Sequence, residues 1–158
     1  MQNIELIQDE LLQLFHMDQE VIDIEERNGR ICPVVRTYDD EGHSLLYWCI
    51  HCQTWHVHGR GGTGRPYEEG RGGMADDRGG QCFAANSPFN QTGVILHVVG
   101  RFNDSIRKQH RKGSLLYCPI CHDRYSAAFN ACNCGGRFIN KKRTSSHPEL
   151  AEKYQSFL

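Results

Sequence analysis

Six of the eight cysteines in this chain fall into three short pairs, Cys49-Ile-His-Cys52, Cys118-Pro-Ile-Cys121 and Cys132-Asn-Cys134. Pairs at this spacing constrain a fold more than any hydrophobic pattern does. Two tight turns that face each other place four donors at the corners of a tetrahedron, the arrangement a zinc ion accepts at about 2.3 Å per sulfur. The first pair runs into Trp55-His56-Val57-His58-Gly59, which adds imidazole donors, and a lone Cys82 follows a long loop. The pattern predicts two metal centres, both read as zinc.

Metal would also supply what the core lacks. The chain has 158 residues, a mean hydropathy of −0.59 and 16 glycines, which is little apolar material for one domain, or one domain with a small satellite. The N-terminus MQNIELIQDELLQLF is acidic and amphipathic and has none of the marks of a secretory signal. No stretch approaches the roughly 18 apolar residues of a membrane span. These features predict a cytoplasmic protein, where thiols stay reduced and paired cysteines serve as metal ligands. A disulfide framework would require export by some other route.

The spacing of Ile4, Ile7, Leu11 and Leu14 predicts a helix over 3–15, capped by Asn3. Strands follow at Val21–Arg27 and Ile31–Tyr38, joined by the hairpin signal Asn28-Gly29, with Pro33 marking an edge or bulge. Asp39 to Gly42 reads as a solvated turn. Further strands are expected at Leu45–Trp48, Thr54–His58 and Thr92–Phe102, the last being the most apolar and central. Residues 59–80 read as a glycine-rich loop with Arg-Gly-Gly at Arg60, Arg71 and Arg78, its arginines offset by Glu68, Glu69, Asp76 and Asp77. Ser105–Lys112 reads as a basic helix or turn and Leu115–Tyr117 as a strand. A helix begun by Pro148 and capped by Ser146 is expected to dock on the body through Leu150, Tyr154, Phe157 and Leu158. The fold class is α+β: an N-terminal helix, a small antiparallel sheet carrying a Cys/His zinc site, a C-terminal zinc ribbon and a short docking helix. The expected boundary separates 1–104 from a basic module at 105–158.

In the first site the expected ligands are Cys49, Cys52, His58 and Cys82, with His56 competing for the third place. On a strand, His56 and His58 share one face, while Trp55 and Val57 share the other. His51, inside the clip, is expected to point outward, Cys32 to be a small packed residue, and His97 to be a hydrogen-bonded core histidine. In the second site the ligands are Cys118, Cys121, Cys132 and Cys134, with His122 in reserve because a single residue separates the last two cysteines. Four thiolates would accept iron equally well.

The segment YCPICHDRYSAAFNACNCGGRF resembles a zinc ribbon, or a rubredoxin-like pair of knuckles, over about 115–140. The resemblance implies a closed site that holds shape or presents a surface. The segment from Cys49 through Trp55, His56, His58 and Gly59 to Cys82, with Ser87-Pro88-Phe89 and Thr92-Gly93 beyond it, resembles small uncharacterised Cys/His proteins of bacteria and phages. That likeness implies a mobile-element context and carries no activity.

Charge is segregated. Residues 1–100 hold 7 Lys/Arg against 15 Asp/Glu, whereas 101–143 hold 10 Lys/Arg against Asp104 and Asp123. A basic segment of this kind predicts a polyanionic partner, or else docking of the basic end on the acidic one. The candidate nucleic-acid contacts are Arg107, Lys108, Arg111, Lys112, Arg137, Lys141, Lys142 and Arg143, with Tyr117, Tyr125, Phe129 and Phe138 interleaved. At least two of those rings are expected to form the module's own core. The partner is therefore read as nucleic acid or a protein that handles it, with no membrane involved. The alternative partner is a larger host enzyme that this chain would inhibit or adapt. A nuclease built on three protein ligands and a water is the further alternative, with His56, His58 and His97 at hand. The deaminase signature, which sets a catalytic Glu after a ligating His, is not met at His56 or His58. A His-Glu-x-x-His motif is absent, and no catalytic residue is assigned.

Overall fold

Leu11, Leu14 and Phe15 recur at helical spacing and are buried on one side of helix α1 (Gln8–Met17). The described residues of this computed structural model are 5–41, 44–59, 75–78, 82–129 and 147–157, so the expected cap Asn3 lies outside them. Helix α1 instead begins at Ile7, whose N–H donates to the Glu10 carboxylate at 3.1 Å. At the other end Asp18 accepts from the Glu20 N–H at 3.0 Å and turns the chain into strand β1 (Val21–Arg27).

Strand β2 (Arg30–Asp40) is the backbone of the sheet. Asn28 and Gly29 both have positive φ, 53° and 75°, which is the turn that matches the twist of a two-residue hairpin. β1 pairs with residues 30–35 of β2, and β3 (Ser44–Cys49) with 38–40, while β6 (Val94–Arg101) pairs with 34–39. Because 34–35 and 38–39 pair on both sides, β1 and β3 share one edge of β2 and β6 holds the other. Pro33, which has no N–H to give, lies one residue before the β6 pairing starts at Val34. β4 (Thr54–Gly59) closes one end of the sheet and β5 (Ala75–Arg78) the other, in the order β4-β3-β2-β6-β5.

The α+β class stands as expected, with four of the five strand pairings antiparallel in this sheet. The exception is β2 with β6, which runs parallel because the chain crosses over through β3, β4 and β5 before returning. Two local expectations are corrected. The loop expected over 59–80 contains β5, whose backbone covers the outer edge of apolar β6 with Asp77 opposite Ile95. The solvated turn expected from Asp39 starts later, because β2 runs to Asp40 and Asp39 is buried, its carbonyl accepting from Phe102 N–H at 2.8 Å.

Before β6, the short helix α2 (Phe89–Thr92) ends at Gly93, φ 73°. The basic stretch after β6 contains only a four-residue helix, α3 (Asp104–Arg107), capped by the Asn103 side chain accepting from Ile106 N–H. A two-stranded hairpin, β7 (Leu116–Tyr117) with β8 (Arg124–Tyr125), and helix α4 (Pro148–Ser156) complete the described chain. One hydrophobic core runs through Phe15, Tyr47, Phe89, Leu96, Phe129, Leu150 and Tyr154. Tyr154 stacks on Phe129 at 4.3 Å, so the tail docks on the body as its apolar stripe requires. Among the described residues no helix is long and apolar enough to cross a membrane.

Candidate metal centre

The Cys49–Cys52 clip is the turn of the β3–β4 hairpin. Cys49 pairs with Thr54 at the end of the ladder, the Gln53 N–H donates to the Cys49 carbonyl at 2.8 Å, and Gln53 takes φ 53° to start the return strand. The turn aims the Cys52 N–H at Cys49 Sγ, 3.5 Å away. Two residues along β4 from Thr54, His56 lies opposite Tyr47 and is buried on the face that carries Cys49. Val57, pointing the other way, is exposed.

Cys82 reaches this face from a distant part of the chain, held there by Asn90 of α2. The Asn90 amide oxygen accepts from the Cys82 N–H at 2.9 Å, and its nitrogen donates to the carbonyls of Cys82 and Ala84 at 3.3 and 3.1 Å. Helix α2 is itself fixed at both ends of its logic. Phe89 is buried against Phe15 and Tyr47, while the Gln91 side chain clasps the backbone of Leu6, accepting from its N–H at 3.0 Å and donating to its carbonyl at 2.6 Å.

The result is four donor atoms, from Cys49, Cys52, His56 and Cys82, all within 4.8 Å of one another. Cys49 Sγ and Cys82 Sγ are 3.5 Å apart, and Cys82 Sγ lies 3.9 Å from His56 Nε2. A tetrahedron with bonds of about 2.3 Å has edges of about 3.8 Å, so the cluster has the size a tetrahedral ion needs. Phe83 N–H donates to Cys52 Sγ at 3.1 Å, the amide-to-sulfur contact that supports a thiolate. The Phe83 ring stacks over His56 at 5.9 Å and is 68% exposed.

Electrostatics within the cluster mark it as a place for a cation. Hydrogen bonds from the Cys49 and Cys82 thiols hold the Cys52 thiol far below its usual range. Burial pushes Cys49 well up. For Cys82, the hydrogen bond with Cys49 pulls down, but that with Cys52 and burial outweigh it and raise the thiol to about 12. Three sulfurs at this separation cannot all carry charge on their own, whereas a divalent ion converts them all to thiolates.

Of the expected first-site ligands, the structure brings together Cys49, Cys52 and Cys82, and His56 rather than His58 joins them. The reason is register. His58 pairs with Leu45, four strand positions from the clip, whereas His56 is two nearer, and two residues of strand span about 6.6 Å. Both rings do share a face, stacking on Tyr47 at 5.2 and 5.7 Å. His51, expected to point outward, is buried between Phe89 and Phe129, and among the described residues both its ring nitrogens lack hydrogen-bond partners. The part played by Asn90 and Gln91 was not anticipated, although both sit in the Ser-Pro-Phe segment singled out by its resemblance.

In the second region, Cys118 and Cys121 form the turn of the β7–β8 hairpin. His122 N–H donates to the Cys118 carbonyl at 3.0 Å, Cys118 N–H to the Asp123 carbonyl at 3.1 Å, and His122 takes φ 63°. Cys121 Sγ lies 2.9 Å from the Tyr125 hydroxyl, and His122 Nδ1 lies 2.7 Å from the Tyr117 hydroxyl. Cys132 and Cys134 are outside the described residues, as are Arg137, Lys141, Lys142, Arg143 and Phe138. Lys108, Arg111, Lys112 and Arg124 are exposed, and Arg107, also exposed, pairs with Asp104. Tyr125 and Phe129 are buried in the core, while Tyr117 is exposed. No family model, curated protein or solved structure matches this chain, so its chemistry is read from the four donors themselves.

Proposed function

We propose that this chain is a zinc-binding protein whose Cys49–Cys52–His56–Cys82 centre is a closed structural site, and that its basic segment engages nucleic acid or a complex that handles it. The observation carrying the metal half is the convergence of four soft and borderline donors, three of them buried, within 4.8 Å. Three sulfurs and an imidazole favour zinc among the divalent ions. Four protein donors leave no position for an activated water, which favours a structural centre over a nuclease. A second zinc on Cys118, Cys121, Cys132 and Cys134 belongs to the same reading, with the β7–β8 turn supplying one half of it. Support for the nucleic-acid half is the exposure of Lys108, Arg111 and Lys112, and of Arg124, which lies opposite the exposed Tyr117 in the β7–β8 ladder, since cations interleaved with rings suit single strands.

Native mass spectrometry with elemental analysis tests the metal. Tightly held zinc that falls by one equivalent in Cys52→Ser supports the centre, and a metal-free chain overturns it. Titration of a labelled single-stranded oligonucleotide at rising salt tests the partner. Phosphate-driven binding weakens steeply, and each lost contact lowers the logarithmic slope by about 0.7, so Lys108→Glu with Lys112→Glu should flatten it. Binding that ignores salt, or none, favours the second reading, a protein partner. The observation behind that reading is the exposed Phe83 ring, 68% exposed and stacked on His56 of the centre.

A further inference from the structure

A cleft of about 450 Å³ lies where the end of α1, the clip turn, residues 109–111 and the start of α4 meet. That volume is within the usual range for a small-molecule site, roughly 300–1,000 Å³. One wall is apolar, made by Ile50, Leu150 and Trp48. Against Trp48 the His110 ring lies nearly parallel, at 4.7 Å and 6°, and His110 Nε2 is held 2.9 Å from the Glu20 carboxylate. Acidic residues line the cleft as well. Asp18 and Glu20 both line the cleft and are 5% and 9% exposed, with the exposed Glu149 at the rim.

Buried carboxyls facing a cavity are costly unless something compensates them. Glu20 has His110. Asp18 has the Glu20 N–H, and among the described residues no lysine or arginine pairs with it. Burial accordingly raises the Asp18 carboxyl to about 7, over a smaller lowering by its Glu20 N–H bond. Among the described residues lining the cleft, Arg111 is the one lysine or arginine, and it is exposed.

We propose that this cleft binds a small organic cation, an amine or amidinium on a planar or aliphatic body. Its charge would sit against Asp18 and Glu20 and its body against Trp48 and the Ile50–Leu150 wall. The buried carboxyls of Asp18 and Glu20 favour a cation over a neutral group of the same shape. This site is separate in its chemistry from the metal centre, and it does not depend on the nucleic-acid reading.

A charge series of one shape tests it: benzamidine, benzamide and benzoate added to the zinc-loaded full chain and followed by NMR. Benzamidine should shift the Glu20 amide and the Trp48 indole N–H in a saturable way. Benzamide should bind at least about tenfold more weakly, the equivalent of about 1.4 kcal/mol, and benzoate should not saturate. Glu20→Gln should weaken benzamidine by a similar factor, and the exposed Glu149→Gln by less. Equal or tighter binding of benzoate, saturation at residues elsewhere, or no saturable shift with benzamidine overturns the proposal. The series on the unaltered chain decides the matter even where a variant fails to fold.

Discussion

The two Cys-x-x-Cys turns of this chain use the same local chemistry and reach different ends. Each closes an antiparallel hairpin, and each is followed within a residue of its second cysteine by a positive φ, at Gln53 and at His122. In the first, the return strand carries a third donor, His56, on the same face, and a remote loop braced by Asn90 delivers the fourth. In the second, β8 is two residues long and carries Arg124 and Tyr125, so the strand brings no imidazole. Among the described residues, its Cys121 Sγ lies 2.9 Å from the buried Tyr125 hydroxyl. A cysteine clip therefore supplies half a site, and whatever its strands and neighbours bring decides the rest.

The sharpest way to break the comparison is to remove one cysteine from each turn. Cys52→Ser should abolish metal at the first centre and, with it, the cooperative thermal transition of the sheet. The sulfur sits in the same core as Tyr47 and Phe89, and structural zinc contributes on the order of 10 kcal/mol in small domains. Cys118→Ser should leave the first centre loaded and the sheet folded, as read by metal content and circular dichroism. Equal loss of structure in both variants would show that the two turns are not independent.

Next in size is the choice between the two histidines. His56→Ala removes a donor and should lower zinc affinity by several orders of magnitude in a chelator competition. His58→Ala should leave the stoichiometry unchanged and cost about 1 kcal/mol of stability through its lost stacking on Tyr47. The reverse ranking would mean that the register of β3 with β4 is shifted by two.

Much of this arrangement is legible in the chain. The hairpin at Asn28-Gly29, the strand at 21–27, the clip and the docking helix all announce themselves through local signals that depend only on near neighbours. His56 was also within reach, because once the clip is taken as a hairpin turn, the same-face residue nearest the turn is the one that can close it. What sequence could not yield is the pairing of segments far apart in the chain. β2 running parallel to β6 and β5 covering the β6 edge are settled by partners far away in sequence. So is the route by which Cys82 arrives, since Asn90 looks like any turn asparagine until its partner carbonyls are in place.

Asn90 gives the third prediction. Asn90→Ala removes the side chain that fixes Cys82 through two hydrogen bonds to Cys82 and one to Ala84 and leaves every metal donor intact. Supporting residues of this type are worth about 10- to 100-fold in metal affinity. The expected signature is weaker zinc binding with unchanged stoichiometry, and Asn90→Asp should recover part of it, since the carboxylate still accepts from the Cys82 N–H. An affinity equal to the parent would mean that Cys82 is positioned by the metal alone.

The smallest effect tests the second turn. Tyr125→Phe deletes one hydroxyl beside Cys121 Sγ while keeping a ring that is fully buried. If the Cys118–Cys121 turn is only a packed hairpin, the cost is that of one hydrogen bond, about 1 kcal/mol, and metal content does not change. If Cys132 and Cys134 complete a second zinc site, the same hydroxyl donates to a metal-bound thiolate, and its loss should weaken that zinc while the first is untouched. Metal stoichiometry under graded chelator therefore distinguishes the two, because only in the second case does one equivalent leave before the other. The turn would then differ from its counterpart in the source of its remaining donors rather than in whether it has them.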